Sequence, residues 1–488
     1  MRRFPLFLIL LLSLRLIAGA SGPQAPQVAG SSAPLVLVGG TVVDLSAWGD
    51  SAKDIQNAVV VIREGKITEV GGAAEVAVPK GANVIECAGK FILPGLVDGY
   101  SGMNSQGAAN ANLYMGVTTV VALQDSERGV INQSASPSPH IYPIDSIGVT
   151  DDWSRLARQP QWISVLREGA RPLELAPQQT ARQMTATAQL GTRVLLIGHK
   201  VTAANAQWII SRAHELGLAT YGEFVSTPYE VGIAAGVDAL PLMGRYELGV
   251  IPDELQRPLV DDPDGSASRT AYDYSQRIPP SDLHLRSYAH FLEAHHAALM
   301  PAFSLYYVEL PGHRNLWKEP VAALQDPSRM YKPTDRKTGE MNYPLPFWAR
   351  RLPGPAQRWL ETDEQKKADQ AAMRLWEINQ ALYSAQIHYL AASGADATGT
   401  MPGTSLHTEL ELLVRLGLSP REALAAATNN YALQFGWSEL GLIAPGRRAD
   451  VLVVDGNPAE NVWNARRIST LILDGEVVNR EALLNQRH

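Results

Sequence analysis

The chain has almost no cysteine and no concentrated positive charge. Cys87 is the single cysteine among 488 residues, so no disulfide can form within the chain in any compartment. Cys87 lies in a strand-like run at 84–88, which favours a buried apolar role over a catalytic thiol. No Lys/Arg cluster follows the first few residues, and the net charge of -7 is mild, which argues against a nucleic-acid partner.

Long apolar runs are also scarce. One run, from Leu6 to Ile17, follows a basic start and precedes small residues, which is the order of a secretory signal. The run is shorter than the ~20 apolar residues that a membrane span needs, and Arg15 interrupts it. We therefore expect a signal peptide at 1–20, a linker at 21–34, no membrane span after cleavage, and a secreted or periplasmic protein; an uncleaved anchor is the alternative.

Motifs of several common enzyme classes are missing, and the chain shows a strand–helix alternation instead. It contains no Gly-x-Ser-x-Gly elbow, no phosphate loop and no His-Glu-x-x-His pattern. Apolar strand-like runs alternate with helical periodicity, and one predicted helix at 204–216 ends at Gly217. This alternation predicts parallel strands with helical crossovers, and at this length a (β/α)8 TIM-like barrel over 94–437. His388 is predicted to lie in a helical stretch.

Both chain ends are rich in short β-type runs with Gly and Asp turns. The turn Arg63-Glu64-Gly65-Lys66 predicts a hairpin, with Gly65 at a position that needs positive φ. Neither end is large enough to form a sheet domain alone, so we predict one small β-sandwich built from 35–93 and 438–488. Pro- and charge-rich stretches at 251–285 and 310–356 are predicted to be lid-like insertions over one face of the barrel.

A ten-residue stretch, 94–103, carries a family resemblance. Its sequence, Pro-Gly-Leu-Val-Asp-Gly-Tyr-Ser-Gly-Met, resembles the end of the first barrel strand in the amidohydrolase superfamily. Segments at 114–119, 403–413, 423–430 and 441–451 resemble imidazolonepropionase/prolidase-like members, in the family's order and spacing. The resemblance spans nearly all of the chain beyond the signal. It implies a hydrolase of C–N bonds, of non-peptide amide or dipeptide-like substrates, in which divalent metal activates water.

The positions that hold metal in the family carry mostly other residues here. The family places these ligands at the C-terminal ends of the first, fourth, fifth, sixth and eighth strands, where barrel chemistry lies. The corresponding residues are, in strand order, Tyr100 with Gly102, Leu196, Glu223, Leu242 and Asp396. Gly102 has no ligand atom, and only Asp396 retains the family's residue type. The resemblance therefore implies a degenerate metal centre with no cofactor, and a zinc-like metal only if this interpretation is wrong.

The same positions define the predicted pocket. Asp396 and Glu223 are the candidate catalytic residues, because two neighbouring carboxylates can support acid–base chemistry. The remaining pocket residues are predicted to be Tyr100, Ser101, Gly102, His199, Lys200 and Leu242.

Three functions are compatible with these residues. The first is a weak or inactive hydrolase that retains a small-ligand pocket. The second is an active amidohydrolase that uses Asp396 and Glu223 with a reduced or absent metal site. The third is a non-catalytic partner subunit of an active homologue. The expected partners are accordingly a small-molecule ligand or substrate and, as a further option, a second copy of the chain or a homologous subunit.

Overall fold

The computed structural model describes residues 33–125, 128–148, 173–252, 254–255, 274, 277–325, 334–341, 351–383, 387–397 and 399–485. The predicted signal peptide, nearly all of the predicted linker and much of both predicted insertions lie outside these ranges, so they stay predictions. Within these ranges, no helix combines the length and the apolar character that crossing a membrane requires.

The strands of the described ranges fall into two sheets. In chain order they are β1 (Leu35–Val42), β2 (Ile55–Arg63), β3 (Lys66–Gly72), β4 (Asn83–Glu86), β5 (Lys90–Pro94), β6 (Leu96–Ser101), β7 (Val117–Leu123), β8 (His140–Ile147), β9 (Val194–Ile197), β10 (Ala219–Gly222), β11 (Ala239–Pro241), β12 (Ala298–Met300), β13 (Val451–Asp455), β14 (Ile468–Leu473) and β15 (Glu476–Val478).

Helices cover the barrel strands and connect them. The α-helices are α1 (Gln106–Tyr114), α2 (Pro177–Gln189), α3 (Ala203–Glu215), α4 (Tyr229–Ala234), α5 (Met243–Tyr246), α6 (Leu283–Ala294), α7 (Gly354–Tyr383), α8 (Thr404–Leu416), α9 (Pro420–Ala426), α10 (Asn429–Phe435) and α11 (Arg480–Leu483). Short 3-10 helices lie at Ala47–Gly49, Glu247–Val250, Phe303–Glu309, Leu316–Lys318, Pro320–Leu324 and Val462–Arg466.

The two chain ends meet in one eight-stranded sheet. Its order is β15-β14-β13-β5-β1-β2-β3, with β4 also paired to β1. β13 from the C-terminal end pairs antiparallel with β5 from the N-terminal end, in register from Val451 opposite Pro94. The β2–β3 hairpin turns at Glu64 and Gly65, whose φ angles of 49° and 74° fit the predicted tight turn. A separate β-sheet built from both chain ends is thus confirmed, and its strands form one hydrogen-bonded sheet where a sandwich was predicted.

The second sheet is the barrel. Seven parallel strands run in the order β12-β11-β10-β9-β8-β7-β6. An extended segment at 388–394 closes the ring, because Leu390 donates to the Leu299 carbonyl (2.9 Å) and Gly394 donates to the Tyr100 carbonyl (2.9 Å). The predicted TIM-like barrel is confirmed. His388 begins this closing segment, so its predicted helical placement is wrong: α7 ends at Tyr383.

Apolar side chains fill the barrel interior. Alternate residues along each strand point inward, and the inward set includes Val97, Val121, Ile144, Leu196 and Met300. Leu196, at the fourth-strand ligand position, is 1% exposed and belongs to this packed interior. Polar groups are therefore concentrated at the strand ends, where the chain leaves the packed layers.

Candidate functional site

A buried hydrogen bond crosses the C-terminal mouth of the barrel. Tyr100 lies near the end of β6, and Glu223 directly follows β10. The Tyr100 hydroxyl donates to Glu223 Oε1 at 2.6 Å, and the two residues are 2% and 0% exposed. Burial, followed by the negative charge of Glu223, raises the pKa of Tyr100 well above its ordinary value. Tyr100 therefore remains a protonated donor, and the structure brings these two predicted site residues into direct contact.

An arginine lies on the other side of Glu223. Arg245 belongs to α5, which begins directly after Leu242 at the end of β11. Its Nε lies 3.7 Å from Glu223 Oε2, and its side chain is only 12% exposed. A buried carboxylate needs such a counter-ion, because an unpaired buried charge is strongly destabilising. Leu242 contributes an apolar, half-buried side chain that packs beside the barrel interior.

A second arginine reaches the mouth from the loop after β7. Arg128 forms an ion pair with Asp125 (Nη1 to Oδ2, 2.5 Å), and its guanidinium carbon lies 5.2 Å from the centre of the Tyr100 ring. That distance is within the range of cation–π attraction. Arg128 and Arg245 were missed by sequence reasoning, which searched for metal-ligand types. The signal that the sequence did offer is that both arginines follow the ends of barrel strands, the second and the sixth, and active-site residues of such barrels lie at these ends.

The first and eighth strands meet at Gly102 and Asp396. Gly102 donates a backbone hydrogen bond to the Ala395 carbonyl. A Cβ atom at Gly102 would lie 3.2 Å from both the Ala395 oxygen and Arg128 Cβ. This spacing is tighter than ordinary van der Waals contact, so a larger side chain at Gly102 requires its neighbours to move. Asp396 follows on this segment and is 9% exposed.

The other predicted pocket residues are buried to different degrees. His199 is fully buried, and burial, reinforced by the charges of Arg245 and Lys200, lowers its pKa to about 3. His199 is therefore neutral at physiological pH. Lys200 is half-buried. Ser101 is buried, and its Oγ lies 3.4 Å from the Gly102 carbonyl oxygen.

A network of buried carboxyl and serine groups holds the segment at 388–394 that closes the barrel. Asp98 accepts hydrogen bonds from the backbone N–H (2.8 Å) and the hydroxyl (2.5 Å) of Ser393. Ser304 donates its hydroxyl to the Ser393 carbonyl (2.7 Å) and its N–H to Glu409 Oε2 (2.8 Å). Burial raises the pKa of Asp98 to about 6 and that of Glu409 to about 8, although the serine hydrogen bonds oppose both shifts. These residues hold the segment that carries Asp396.

Among the described residues, side chains of the types that bind metal ions also meet at a place outside the mouth. His140, Asp450 and Asp474 place three potential ligand atoms within 4.8 Å of one another. His140 is the first residue of β8, so this group lies at the N-terminal end of the barrel, opposite the mouth.

Comparison with known proteins gives a consistent family. Residues 369–478 match the model of the Amidohydrolase family. The chain is 46% identical over 70 residues to imidazolonepropionase of Ruegeria sp. (strain TM1040), covering 13% of this chain and 17% of that protein. It is 51% identical over 55 residues to adenine deaminase 2 of Agrobacterium fabrum (strain C58 / ATCC 33970), covering 11% of this chain and 9% of that protein. The aligned segments thus span less than a fifth of either relative.

Solved structures extend the similarity to the whole fold. Molinate hydrolase superposes with a TM-score of 0.60 at 15% identity, covering 94% of this chain and 97% of that chain. A Xaa-Pro dipeptidase with bound methionine superposes with a TM-score of 0.58 at 15% identity, covering 91% and 100%. At this identity the likeness concerns the fold. Together with the family match and the sequence relatives, it supports the amidohydrolase superfamily as the family of this chain.

Proposed function

We propose that this protein is an amidohydrolase-superfamily member whose barrel mouth binds a small polar ligand without a catalytic metal centre, and whose hydrolysis of C–N bonds is weak or absent. The observation that carries the proposal is the direct linkage of Tyr100, Glu223 and Arg245. The Tyr100 hydroxyl and the Arg245 guanidinium approach the two oxygens of Glu223 at 2.6 and 3.7 Å. One hydrogen-bond donor and one positive charge thus flank the carboxylate that stands at the fifth-strand ligand position.

The residues at the family's ligand positions do not fit a catalytic metal centre. Leu196, Leu242 and Gly102 have no donor atom in their side chains. Asp396 and Glu223 alone give fewer ligands than the three that a catalytic zinc site takes from the protein. No catalytic step through a metal is therefore proposed.

The mouth remains suited to a small polar molecule. Buried groups of both charges lie around it: the Arg128–Asp125 and Arg245–Glu223 pairs, together with Asp396. Pockets of this kind orient a ligand through a few fixed polar groups set among apolar walls. The apolar wall is provided by the packed barrel interior below them.

Metal analysis combined with hydrolysis assays tests the proposal. The purified protein and its Asp396→Asn variant are assayed for zinc, manganese and iron content and for hydrolysis of a Xaa-Pro dipeptide and a phenylurea. We expect equal metal content in the two proteins and no chelator-sensitive hydrolysis in either. Hydrolysis that is lost both with chelator and in Asp396→Asn would contradict the proposal.

One observation favours a second candidate function, metal-independent hydrolysis. Among the described residues, no group hydrogen-bonds Glu223 Oε2, which is buried. That oxygen can accept a proton from a bound water, as a general base must. This candidate predicts hydrolysis that persists in chelator and is lost in Glu223→Gln. Glu411→Gln, a surface change on α8, is the matched control, and hydrolysis unchanged in Glu223→Gln contradicts this candidate.

We also propose that the protein is exported, on the strength of the N-terminal sequence pattern. Cell fractionation of the full chain and of a variant that lacks residues 2–20 tests this. The full chain is expected outside the cytoplasm and the shortened variant inside it. A role as the non-catalytic partner of an active homologue predicts a stable complex after purification from the native cell.

A further inference from the structure

Three side chains from distant parts of the sequence meet at the N-terminal end of the barrel strands, which we call the base of the barrel. His140 begins β8, Asp450 directly precedes β13, and Asp474 lies in the turn between β14 and β15. His140 Nε2 lies 3.3 Å from Asp450 Oδ2 and 3.4 Å from Asp474 Oδ1. The group therefore joins a barrel strand to two elements of the terminal sheet.

The distances between these atoms favour an ion among them. An ordinary N–H···O hydrogen bond spans about 2.9 Å, and both distances from His140 are longer. In a tetrahedral site with bonds of about 2.1 Å, neighbouring ligand atoms lie about 3.4 Å apart. His140 Nε2 is a buried atom, and the carboxylate oxygens of both aspartates lie within 3.4 Å of it. The spacing thus fits an ion between the atoms better than a direct hydrogen bond.

We propose that His140, Asp450 and Asp474 bind a divalent transition metal of the zinc type, with water as the fourth ligand. One imidazole and two carboxylates form a donor set that zinc accepts. The Asp474 side chain is 56% exposed, so a metal ion and its water can enter from solvent. An open cavity beside it is lined by Asp474 together with Lys66 and Arg448.

The surrounding groups hold the carboxylates in place. Asp450 Oδ1 accepts the Asp474 N–H at 2.9 Å, and Asp450 Oδ2 accepts Arg448 Nε at 2.5 Å. A carboxylate oxygen has two lone pairs, so the arginine leaves one for a metal, and such outer hydrogen bonds orient metal ligands.

A metal at this position would connect the barrel to the terminal sheet. Because the ligands come together only in the folded chain, binding stabilises the folded state through linkage. The site lies at the opposite end of the strands from Tyr100 and Glu223. The proposal is therefore independent of the function proposed for the mouth.

Zinc titration of the metal-free protein tests the site. We expect one zinc ion per chain by calorimetry and a higher unfolding temperature with zinc. Asp474→Asn and His140→Gln should each weaken binding at least about tenfold, since each removes one of three protein ligands. Asn suits this position because Asp474 has φ of 50°, a conformation that asparagine tolerates. Circular dichroism verifies that the variants are folded.

Two control variants distinguish this site from the rest of the molecule. His214→Gln removes a histidine–aspartate pair elsewhere, in which His214 Nε2 lies 3.0 Å from Asp238 Oδ2, and it should leave zinc binding unchanged. Asp396→Asn should also leave it unchanged, because the mouth is remote. Absence of zinc binding, or binding of equal strength in folded Asp474→Asn, would overturn the proposal. Zinc binding that is lost only in Asp396→Asn would overturn it too, and would place the metal at the mouth.

Discussion

Replacement of Glu409 by glutamine should make the protein less sensitive to alkaline pH. Glu409 is 0% exposed on α8, and burial raises its pKa from 4.5 to about 8. The folded protein therefore holds this proton more tightly than the unfolded chain does. The stability that Glu409 contributes is complete below pH 4.5 and is lost as the pH rises through about 8.

The structure sets the size of this effect. One pKa unit corresponds to about 1.36 kcal/mol, so the full loss is about 5 kcal/mol, of which about 4 kcal/mol falls between pH 5 and pH 9. The unfolding entropy of a chain of this length is about 1 kcal/mol per kelvin, so the unfolding temperature should fall by about 4 °C on this account. Glutamine can still accept the Ser304 N–H through its amide oxygen.

Differential scanning calorimetry at pH 5 and pH 9 measures the difference. The decrease in unfolding temperature from pH 5 to pH 9 should be about 4 °C smaller in Glu409→Gln than in the natural protein. Asp98, whose pKa is also raised, is present in both proteins, and its charge adds to the raised pKa of Glu409. Glu411→Gln on the same helix is the control. If the natural protein and Glu409→Gln show parallel pH profiles, burial does not hold Glu409 in its protonated form.

Three further changes test the mouth and the barrel wall. Tyr100→Phe removes the donor to buried Glu223 and should lower the free energy of unfolding by about 1–3 kcal/mol in denaturant titrations; an unchanged value would mean that the hydrogen bond is dispensable. The double change Tyr100→His with Gly102→His should not raise the zinc content above that of the natural protein in elemental analysis, because the fourth- and sixth-strand positions still lack donors; additional chelator-sensitive zinc would contradict this. Gly99→Ala should impair folding severely, because its Cβ would lie 1.7 Å from the Tyr431 hydroxyl oxygen; a native-like circular dichroism spectrum and unfolding temperature would show that the wall can adapt.

The fold was largely predictable, because its signals are local. The run at 194–197 is apolar at each residue and became β9 as expected, and the Glu64-Gly65 turn formed the hairpin that its glycine indicated. The segment around His388 was not predictable. It makes only a few ladder hydrogen bonds while it closes the barrel, and its local sequence carries no clear strand period.

The site was predicted in part. Glu223 and Tyr100 were identified from family positions, and they are in contact. Arg245 and Arg128 were missed, because neither is a metal-ligand type and their distance from Glu223 and Tyr100 depends on how the loops after β11 and β7 turn. The carboxyl network behind Asp396 was also missed, since Asp98 and Ser393 are far apart in sequence and neighbours in space.

Sequence alone determined the alternation of strands and helices, the joining of both chain ends in one β-domain, and the absence of donor atoms at Gly102, Leu196 and Leu242. These features follow from residue type and order. Tertiary structure alone decided that a tyrosine, a carboxylate and an arginine are linked across the mouth, and that His140, Asp450 and Asp474 meet at the base. Such contacts depend on distances between segments that chain order does not encode, since closing the barrel brings remote residues to within a few ångströms.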